Sequence, residues 1–511
     1  MNKQCFSGKR VLVMGLGRFG GGVDAAKFAA AAGAKVTVTD LAPEVQLSDS
    51  INKLTEFPDI EFHLGSHDPA DFEQADIIIA NPAVAPDNEF LQLARQHNKL
   101  VTSQIGIFFQ LCPAPIIGIT GANGKSTTAA LTAHLLRGKT EDRRQKTEDQ
   151  RNSTFSRHTC GAGSEYRRQS VLGPPPSVLR TVWLSGNIGN EPLLMAVDQI
   201  RPNDLVVLEL SSFQLDQLAE IQKAPNVALL TNLTPNHLDR YGTFADYCAA
   251  KENIFRFQKL DDKCPAVSIF NAEDEIAAQW FEKYKKDAGR ICIKFSAHDV
   301  SQDFRDSFTL PGRANLSNLA AAHAVARHFG ANDEHIRSCL PHFKPLPHRL
   351  ELVGQIKGVC WYNDSKATTP QSAVTAMEAF DQPVIIIAGG YDKHLPFDEF
   401  GQRIAERAKA AILIGQTAPK ITEAIKNAPK YLAPQLVAGL TKNQSRNTHC
   451  APCTTRVELV NSLAEAVQLA NRLAESGDVV LLSPACASYD MFENYEHRGQ
   501  EFVRLARALS D

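Results

Sequence analysis

Thr120-Gly-Ala-Asn-Gly-Lys-Ser-Thr127 follows the apolar run Ile116 to Ile119 and carries the parts needed to handle a nucleoside triphosphate. Backbone N–H groups around Gly121, Ala122, Asn123 and Gly124 can face phosphate oxygens. Lys125 can reach the outer phosphates, and the Ser126 hydroxyl, beside Thr127, can hold Mg2+. Ile119 stands where the strict phosphate-loop pattern has its first glycine, but a strand, this loop and a helix in succession predict ATP binding. A second loop, Gly15-Leu-Gly-Arg-Phe-Gly20, follows Val11 to Met14 and has Asp40 twenty residues further on. Its glycines allow a diphosphate to approach the start of a helix, and Asp40 can accept a ribose hydroxyl. That physics suits NAD or any other nucleotide diphosphate, and a loop that merely packs helix on strand is the plainer alternative.

Magnesium held by one hydroxyl and phosphates usually takes a further carboxylate from a neighbouring strand end. Glu209, in Leu208-Glu-Leu-Ser-Ser-Phe-Gln214, closes the hydrophobic run from Leu205, where a charge is costly to bury unless it meets a cation. Ordinary strand-end polarity is the alternative. His237, in Thr231-Asn-Leu-Thr-Pro-Asn-His-Leu-Asp-Arg-Tyr241, follows the next strand and so faces the same side.

Open α/β sheets are needed to bring these residues together. Val11 to Met14, a helix from Val23 to Ala32 and Lys35 to Thr39 form a βαβ opening, and Ile77 to Ala80 and Ile116 to Ile119 add buried parallel strands. Leu205 to Leu210, Val227 to Leu230 and Val267 to Asn271 extend a second sheet, and Val384 to Ala388, Ala411 to Ile414 and Val479 to Leu482 announce a third. Each run ends at small or polar residues, where such sheets carry ligand loops. A length of 511 residues, 43% hydrophobic and 22% charged, supports several cores and excludes a fibrous or mainly disordered chain. With 54 basic and 57 acidic residues, the net charge of -3 gives no general attraction for nucleic acid or an anionic membrane. No apolar run approaches the roughly 18 residues of a membrane span, so a cytoplasmic protein without membrane insertion is expected. Eleven scattered cysteines read as small buried hydrophobes, and the one CxxC, Cys450 to Cys453, lacks a second pair to complete a zinc site.

Gly138 to Arg180 interrupts this order with tandem Lys-Thr-Glu-Asp runs and Pro174-Pro-Pro, and Thr441 to Thr455 is similarly polar. Such composition cannot bury a core, which predicts a disordered surface insert rather than a basic docking patch. Loop closure costs only about 0.6 kcal/mol per doubling of length, so the fold can tolerate it. Replacing Lys139 to Ser177 by a short Gly/Ser bridge should leave activity within a few-fold of the parent. Limited proteolysis should cut first at Arg143, Arg144 or Arg151, and loss of soluble protein in the shortened variant would show instead that the insert packs.

Taken in order, Thr120 to Thr127, Gly186-Asn-Ile-Gly189, Leu208 to Gln214, Asn236-His-Leu-Asp-Arg-Tyr241, Leu346-Pro-His-Arg349 and Asn363-Asp-Ser-Lys-Ala-Thr368 resemble the motifs of the Mur ligases of peptidoglycan synthesis. Leu482-Ser-Pro-Ala-Cys-Ala-Ser-Tyr-Asp490 with Phe492-Glu-Asn-Tyr-Glu-His-Arg-Gly499 resembles the D-glutamate-adding branch. The resemblance implies an α/β chain of three domains: a Rossmann-like UDP-substrate domain over 1–104, a central P-loop ATPase-like domain over 105–345 carrying the insert, and a C-terminal Rossmann-like amino-acid domain over 346–511. It implies ATP and two Mg2+ as cofactors, UDP-N-acetylmuramoyl-L-alanine and D-glutamate as substrates, and a monomer. Gly17, Arg18, Phe19 and Asp40 to Ala42 would lie along the uridine diphosphate, with Asn187 near the muramoyl part. Arg18 and Phe19 depart from the small polar or aliphatic residues usual there. Ser126, Glu209, His237 and a carbamylated Lys251 would hold the metals. Asn315, Asn318, Arg349, Asp364 and Lys366 would meet the nucleotide or the reacting groups, and the third domain would close by hinging near Pro345 to Pro347. Lys393, Ser488, Tyr489 and Tyr495 would hold D-glutamate, Tyr495 replacing a common phenylalanine. A folylpolyglutamate-type ligase leaves the N-terminal glycine loop unexplained, a dehydrogenase leaves the ATP loop unexplained, and a non-catalytic nucleotide-gated protein leaves the joint presence of Lys125, Glu209, His237, Lys251 and Asp364 unexplained.

Overall fold

The computed structural model describes residues 2–17, 20–137, 180–188, 192–429 and 455–509. Arg18, Phe19, nearly all of the expected insert and the Cys450 to Cys453 pair lie outside them. Among the described residues the strands form three sheets. The first has β1 (Arg10–Met14), β2 (Lys35–Asp40), β3 (Glu61–Leu64), β4 (Ile77–Ala80) and β5 (Leu100–Thr102), all parallel in the order β3-β2-β1-β4-β5. The order reverses between β1 and β4, so Gly15 and Asn81, which follow these strands, share the crevice where such sheets bind ligands.

The second sheet has β6 (Ile116–Thr120), β7 (Val182–Gly186), β8 (Leu205–Glu209), β9 (Val227–Leu230), β10 (Ala266–Asn271) and β11 (Arg290–Phe295), parallel in the order β11-β10-β9-β6-β8-β7. Strand β6 lies between β8 and β9, which sets the phosphate loop beside the strand ends that carry Glu209 and Thr231. One buried cluster runs through the first two sheets, from Val13 and Val38 to Ile254 and Phe270, and the helix Gln104–Leu111 adds Ile105, Ile107, Phe108 and Phe109 to it. Shared apolar burial makes these two sheets one compact unit, Met1–Ser307 with Ser317–Pro341.

The second compact unit, Phe308–Leu316 with His342–Asp511, holds the third sheet. It consists of β12 (Glu351–Ile356), β13 (Val359–Asn363), β14 (Val384–Gly389), β15 (Ala408–Ile414), β16 (Arg456–Leu459) and β17 (Val479–Leu482) in the order β12-β13-β17-β14-β15-β16. Here β12 pairs antiparallel with β13, an edge hairpin that the hydrophobic runs do not announce, and the other pairings are parallel. Lys357 and Gly358 at its turn both have positive φ, 51° and 82°, the geometry that matches strand twist in a two-residue hairpin loop. The helix expected from Val23 is Gly21–Ala31, and β4, β9 and β17 have the expected limits. No helix among the described residues is long and apolar enough to cross a membrane.

Candidate functional site

The glycine loop of the first sheet is held by two side chains. Asp40 accepts the Gly17 N–H at 3.1 Å and the Ala42 N–H at 2.9 Å, one on each oxygen, and Asn81 Nδ2 donates to Gly15 O at 3.2 Å. Asp40, expected to meet a ribose, therefore also shapes the loop that would meet the diphosphate.

In the second sheet Thr120 ends β6 and a helix occupies 125–137, so the loop between them points its last amides along the start of that helix. Gly121 (φ 146°) and Gly124 (φ 79°) admit no side chain: an added Cβ would lie 2.0 Å from Thr231 Oγ1 and 2.2 Å from Asn318 Oδ1 respectively. Two of the expected phosphate donors are engaged elsewhere. The Ala122 N–H donates to Asn232 O at 2.8 Å and the Asn123 N–H to Asn232 Oδ1 at 2.9 Å, while the Thr231 hydroxyl donates to Asn123 O at 2.6 Å. The segment after β9 thus braces the front of the loop. Lys125 Nζ donates to Ala122 O at 2.8 Å, and Asn318 Oδ1 accepts from Thr128 Oγ1 at 3.2 Å. Sequence reasoning missed Asn232, although it stands in the run that yielded His237.

Glu209 is 2% exposed, and its Oε2 has no hydrogen-bond partner among the described residues. Asn187, an exposed residue, donates its N–H to Glu209 O at 3.0 Å, so the Gly186-Asn187 turn lies against this strand end. Lys251, on the helix Phe244–Arg256, is also 2% exposed; its Nζ is 3.3 Å from Thr120 Oγ1 and 4.9 Å from the Tyr247 ring centre. Burial, followed by repulsion from Lys125, pushes its amine well below the ordinary lysine range, with Glu209 pulling the other way. His237 has φ 52° and begins a short helix, Leu238–Tyr241, with its ring 5.1 Å from that of Phe213 and 6.3 Å from that of Tyr247. Although the residue is exposed overall, desolvation of its ring and then the Lys251 charge lower its pKa, which favours a neutral imidazole. No group of three or more His, Cys, Asp or Glu side chains among the described residues is placed to hold a metal. The orphaned Glu209 oxygen fits a cation whose other ligands are hydroxyl, phosphate or a lysine converted to an anion.

In the second unit, Asn315 donates through Nδ2 to Pro311 O at 2.7 Å. Arg349 lies between two residues of positive φ, His348 (62°) and Leu350 (41°). Of the eight non-glycine residues with positive φ among the described residues, five (His237, His348, Leu350, His394 and Ala485) lie in or next to the candidate loops, where backbone strain commonly collects. Asp364, at the end of β13, accepts the Ser483 hydroxyl at 2.9 Å and the Leu350 N–H at 3.2 Å. Lys366 Nζ lies 5.5 Å from the Tyr495 ring centre. Ser488 is buried, whereas Lys393 is exposed and Tyr489 is 64% exposed with its ring 6.1 Å from that of Tyr391. The group that organises these loops is one the sequence did not single out. Arg498 is 0% exposed and donates to Ser365 Oγ (3.0 Å), Ser365 O (2.9 Å), Cys486 O (3.1 Å) and Ala487 O (3.3 Å). A cation in the run Phe492 to Gly499 was visible; its burial was not.

Burial raises the Asp364 carboxyl to about 7, against the opposing pull of Ser483, Leu350 and Arg349. A folded-state pKa above the unfolded value stabilises the protonated form, so this contribution is complete below about pH 4 and is lost as pH rises through about 7. The second unit should therefore lose on the order of 3 to 4 kcal/mol over that window, and Asp364→Asn should flatten the dependence. Urea unfolding followed by Trp361 fluorescence, with Trp183 and Trp280 replaced by phenylalanine, measures this; an unchanged slope in Asp364→Asn would refute it.

The family model described as Mur ligase MurD-like, N-terminal domain matches residues 9–103, Mur ligase middle domain matches 187–309, and Mur ligase, glutamate ligase domain matches 348–486. UDP-N-acetylmuramoylalanine–D-glutamate ligase of Roseiflexus sp. (strain RS-1) is 37% identical over 530 aligned positions, covering 99% of each chain. The protein of the same name from Acetivibrio thermocellus is 34% identical, covering 93% of this chain and 92% of its own. Among solved structures, UDP-N-acetylmuramate-alanine ligase from Thermotoga maritima shares the fold with a TM-score of 0.52 at 17% identity, covering 98% of this chain and 99% of that one.

Proposed function

This chain belongs to the Mur ligase family, and from that premise we propose that it joins D-glutamate to the L-alanyl carboxylate of UDP-N-acetylmuramoyl-L-alanine with conversion of ATP to ADP and phosphate. The observation that carries this reading is full-length similarity to ligases of that name, joined to a phosphate-type loop and a buried orphaned carboxylate on neighbouring strands of one sheet and a desolvated lysine on a helix that reaches the same strand end. It also explains a dinucleotide-type glycine loop without NAD, since a uridine diphosphate offers that loop the same two phosphates.

A carboxylate is a poor electrophile. Transfer of the γ-phosphoryl group onto it gives an acyl phosphate, which the amine of D-glutamate attacks, expelling phosphate as the amide forms; no enzyme nucleophile is needed. Lys125 exchanges its bond to Ala122 O for the outer phosphates, and the amides at the start of helix 125–137 receive the same anion. Glu209, Ser126, His237 and Lys251 would hold Mg2+, which supplies positive charge to phosphates that otherwise repel an incoming carboxylate. The depressed basicity of Lys251 supports carbamylation, because only a neutral amine attacks carbon dioxide, and the product is an anion suited to a cation site. Asn315, Arg349, Asp364, Lys366, Lys393, Ser488 and Tyr495 keep the nucleotide and amino-acid roles that the family resemblance assigns to them. A cytoplasmic monomer is the working form in this reading.

Phosphate release from ATP tests it. Turnover should require both UDP-N-acetylmuramoyl-L-alanine and D-glutamate; equal turnover with L-lysine or diaminopimelate would defeat the amino-acid assignment, and tight NAD binding would revive a dehydrogenase.

A further inference from the structure

Arg240 lies on the short helix that follows His237, and it reaches the first sheet. Its Nη1 donates to Ala83 O at 2.9 Å and its Nη2 to Val84 O at 3.2 Å, while the guanidinium carbon sits 4.0 Å from the centre of the Phe213 ring. The Phe213 ring also meets the ring of His237, their centres 5.1 Å apart. On the first-sheet side the 83–84 turn is built on Asn81, whose Oδ1 accepts the Ala83 N–H at 3.0 Å and whose O accepts the Val84 N–H at 2.9 Å. The same Asn81 holds Gly15 O, and its Cβ would be 2.8 Å from a Cβ added at Gly15. A continuous series of contacts therefore runs from the glycine loop through Asn81, the 83–84 carbonyls, Arg240 and Phe213 to His237.

We propose that Arg240 is a positioning residue that couples the nucleotide-sugar loop of the first sheet to His237 on the ATP side. The inference rests on the functional reading above and deepens it. A planar guanidinium can serve two adjacent carbonyls and stack on an aromatic face at once, so a shift of the 83–84 turn is passed to Phe213 and His237 rather than absorbed by a flexible stem. Other links join the two sheets near this point without touching His237: Gln217 Nε2 donates to Ala80 O at 3.1 Å, and Arg95 bonds Glu220 at 3.3 Å. They keep the sheets docked when Arg240 is removed, which separates coupling from folding.

The test uses the full chain carrying Arg240→Ala, Arg240→Lys or, as control, Arg95→Ala. Affinity for ATP is measured by calorimetry with and without UDP-N-acetylmuramoyl-L-alanine, alongside kcat, KM for each substrate and thermal unfolding. In the parent, the UDP substrate should tighten ATP binding by about tenfold, a usual size for coupling between sites. In Arg240→Ala and Arg240→Lys that factor should fall towards one and kcat/KM for the UDP substrate should drop about tenfold or more, while ATP affinity alone moves less than about threefold. Arg95→Ala should keep the coupling. Coupling retained in Arg240→Ala, or all parameters restored by Arg240→Lys together with the melting temperature, would overturn the proposal in favour of simple docking. A parent protein inactive with these substrates would sink the functional reading itself, a distinct outcome.

Discussion

Glu209→Gln should lower the turnover number by at least about tenfold to a hundredfold, a loss of roughly 1.4 to 2.7 kcal/mol of transition-state stabilisation, while leaving the fold no less stable. The opposite signs follow from one feature. A carboxyl group with an oxygen buried and unpartnered is a liability to the unliganded chain, and glutamine of the same shape replaces it without opening a cavity. The same substitution removes the anion that a phosphate-bound cation needs. Lys251→Ala should lower turnover to a similar extent, and carbon-13 NMR with labelled bicarbonate should show a carbamate in the parent that is missing from this variant. Affinity for the UDP substrate should change little in either, because its glycine loop hangs on Asp40 and Asn81 instead. Wild-type turnover in Lys251→Ala, or a destabilised but fully active Glu209→Gln, would show that these residues are structural.

The other large effect concerns Arg498. Arg498→Leu should destabilise the second unit by on the order of 3 to 5 kcal/mol, because it removes four hydrogen bonds from a charged donor and strands the carbonyls of Ser365, Cys486 and Ala487 away from water. Burial lowers the guanidinium pKa to about 10, which still leaves it charged at neutral pH. Arg498→Lys should recover only part of this stability, since one ammonium cannot reach the same four acceptors. Below the unfolding temperature, the KM for D-glutamate should rise in both variants more than the KM for ATP, because the loop that Arg498 holds carries Ser488. Chemical denaturation and steady-state kinetics measure the two effects; a Leu variant with parental stability would mean that water replaces the guanidinium without cost.

Runs such as Ile77–Ala80, Val227–Leu230 and Val479–Leu482 were legible in the sequence because strands buried on both faces are nearly all apolar. Edge strands were not. In β3, Glu61-Phe-His-Leu, and β11, Arg290-Ile-Cys-Ile-Lys-Phe, one face meets solvent and the apolar signal is diluted. The hairpin β12 to β13 escaped notice for the same reason, and with it the mixed character of the third sheet.

The sequence by itself determined that this is an α/β chain with two phosphate-type loops, one of them carrying a lysine and a hydroxyl, and the ordered motifs of its family, because each of those signals lies within about ten consecutive residues and depends on local backbone geometry. Tertiary structure alone decided which distant groups meet. Lys251 reaches Thr120 across 131 residues, Asn318 fills the space left by Gly124, Asn232 takes two loop amides that the motif had offered to phosphate, and Arg498 ties Ser365 to Cys486. Strand order and core packing set those encounters, and burial then sets the charge states, lowering the basicity of Lys251 and raising Asp364 to about 7, properties that no stretch of neighbouring residues encodes.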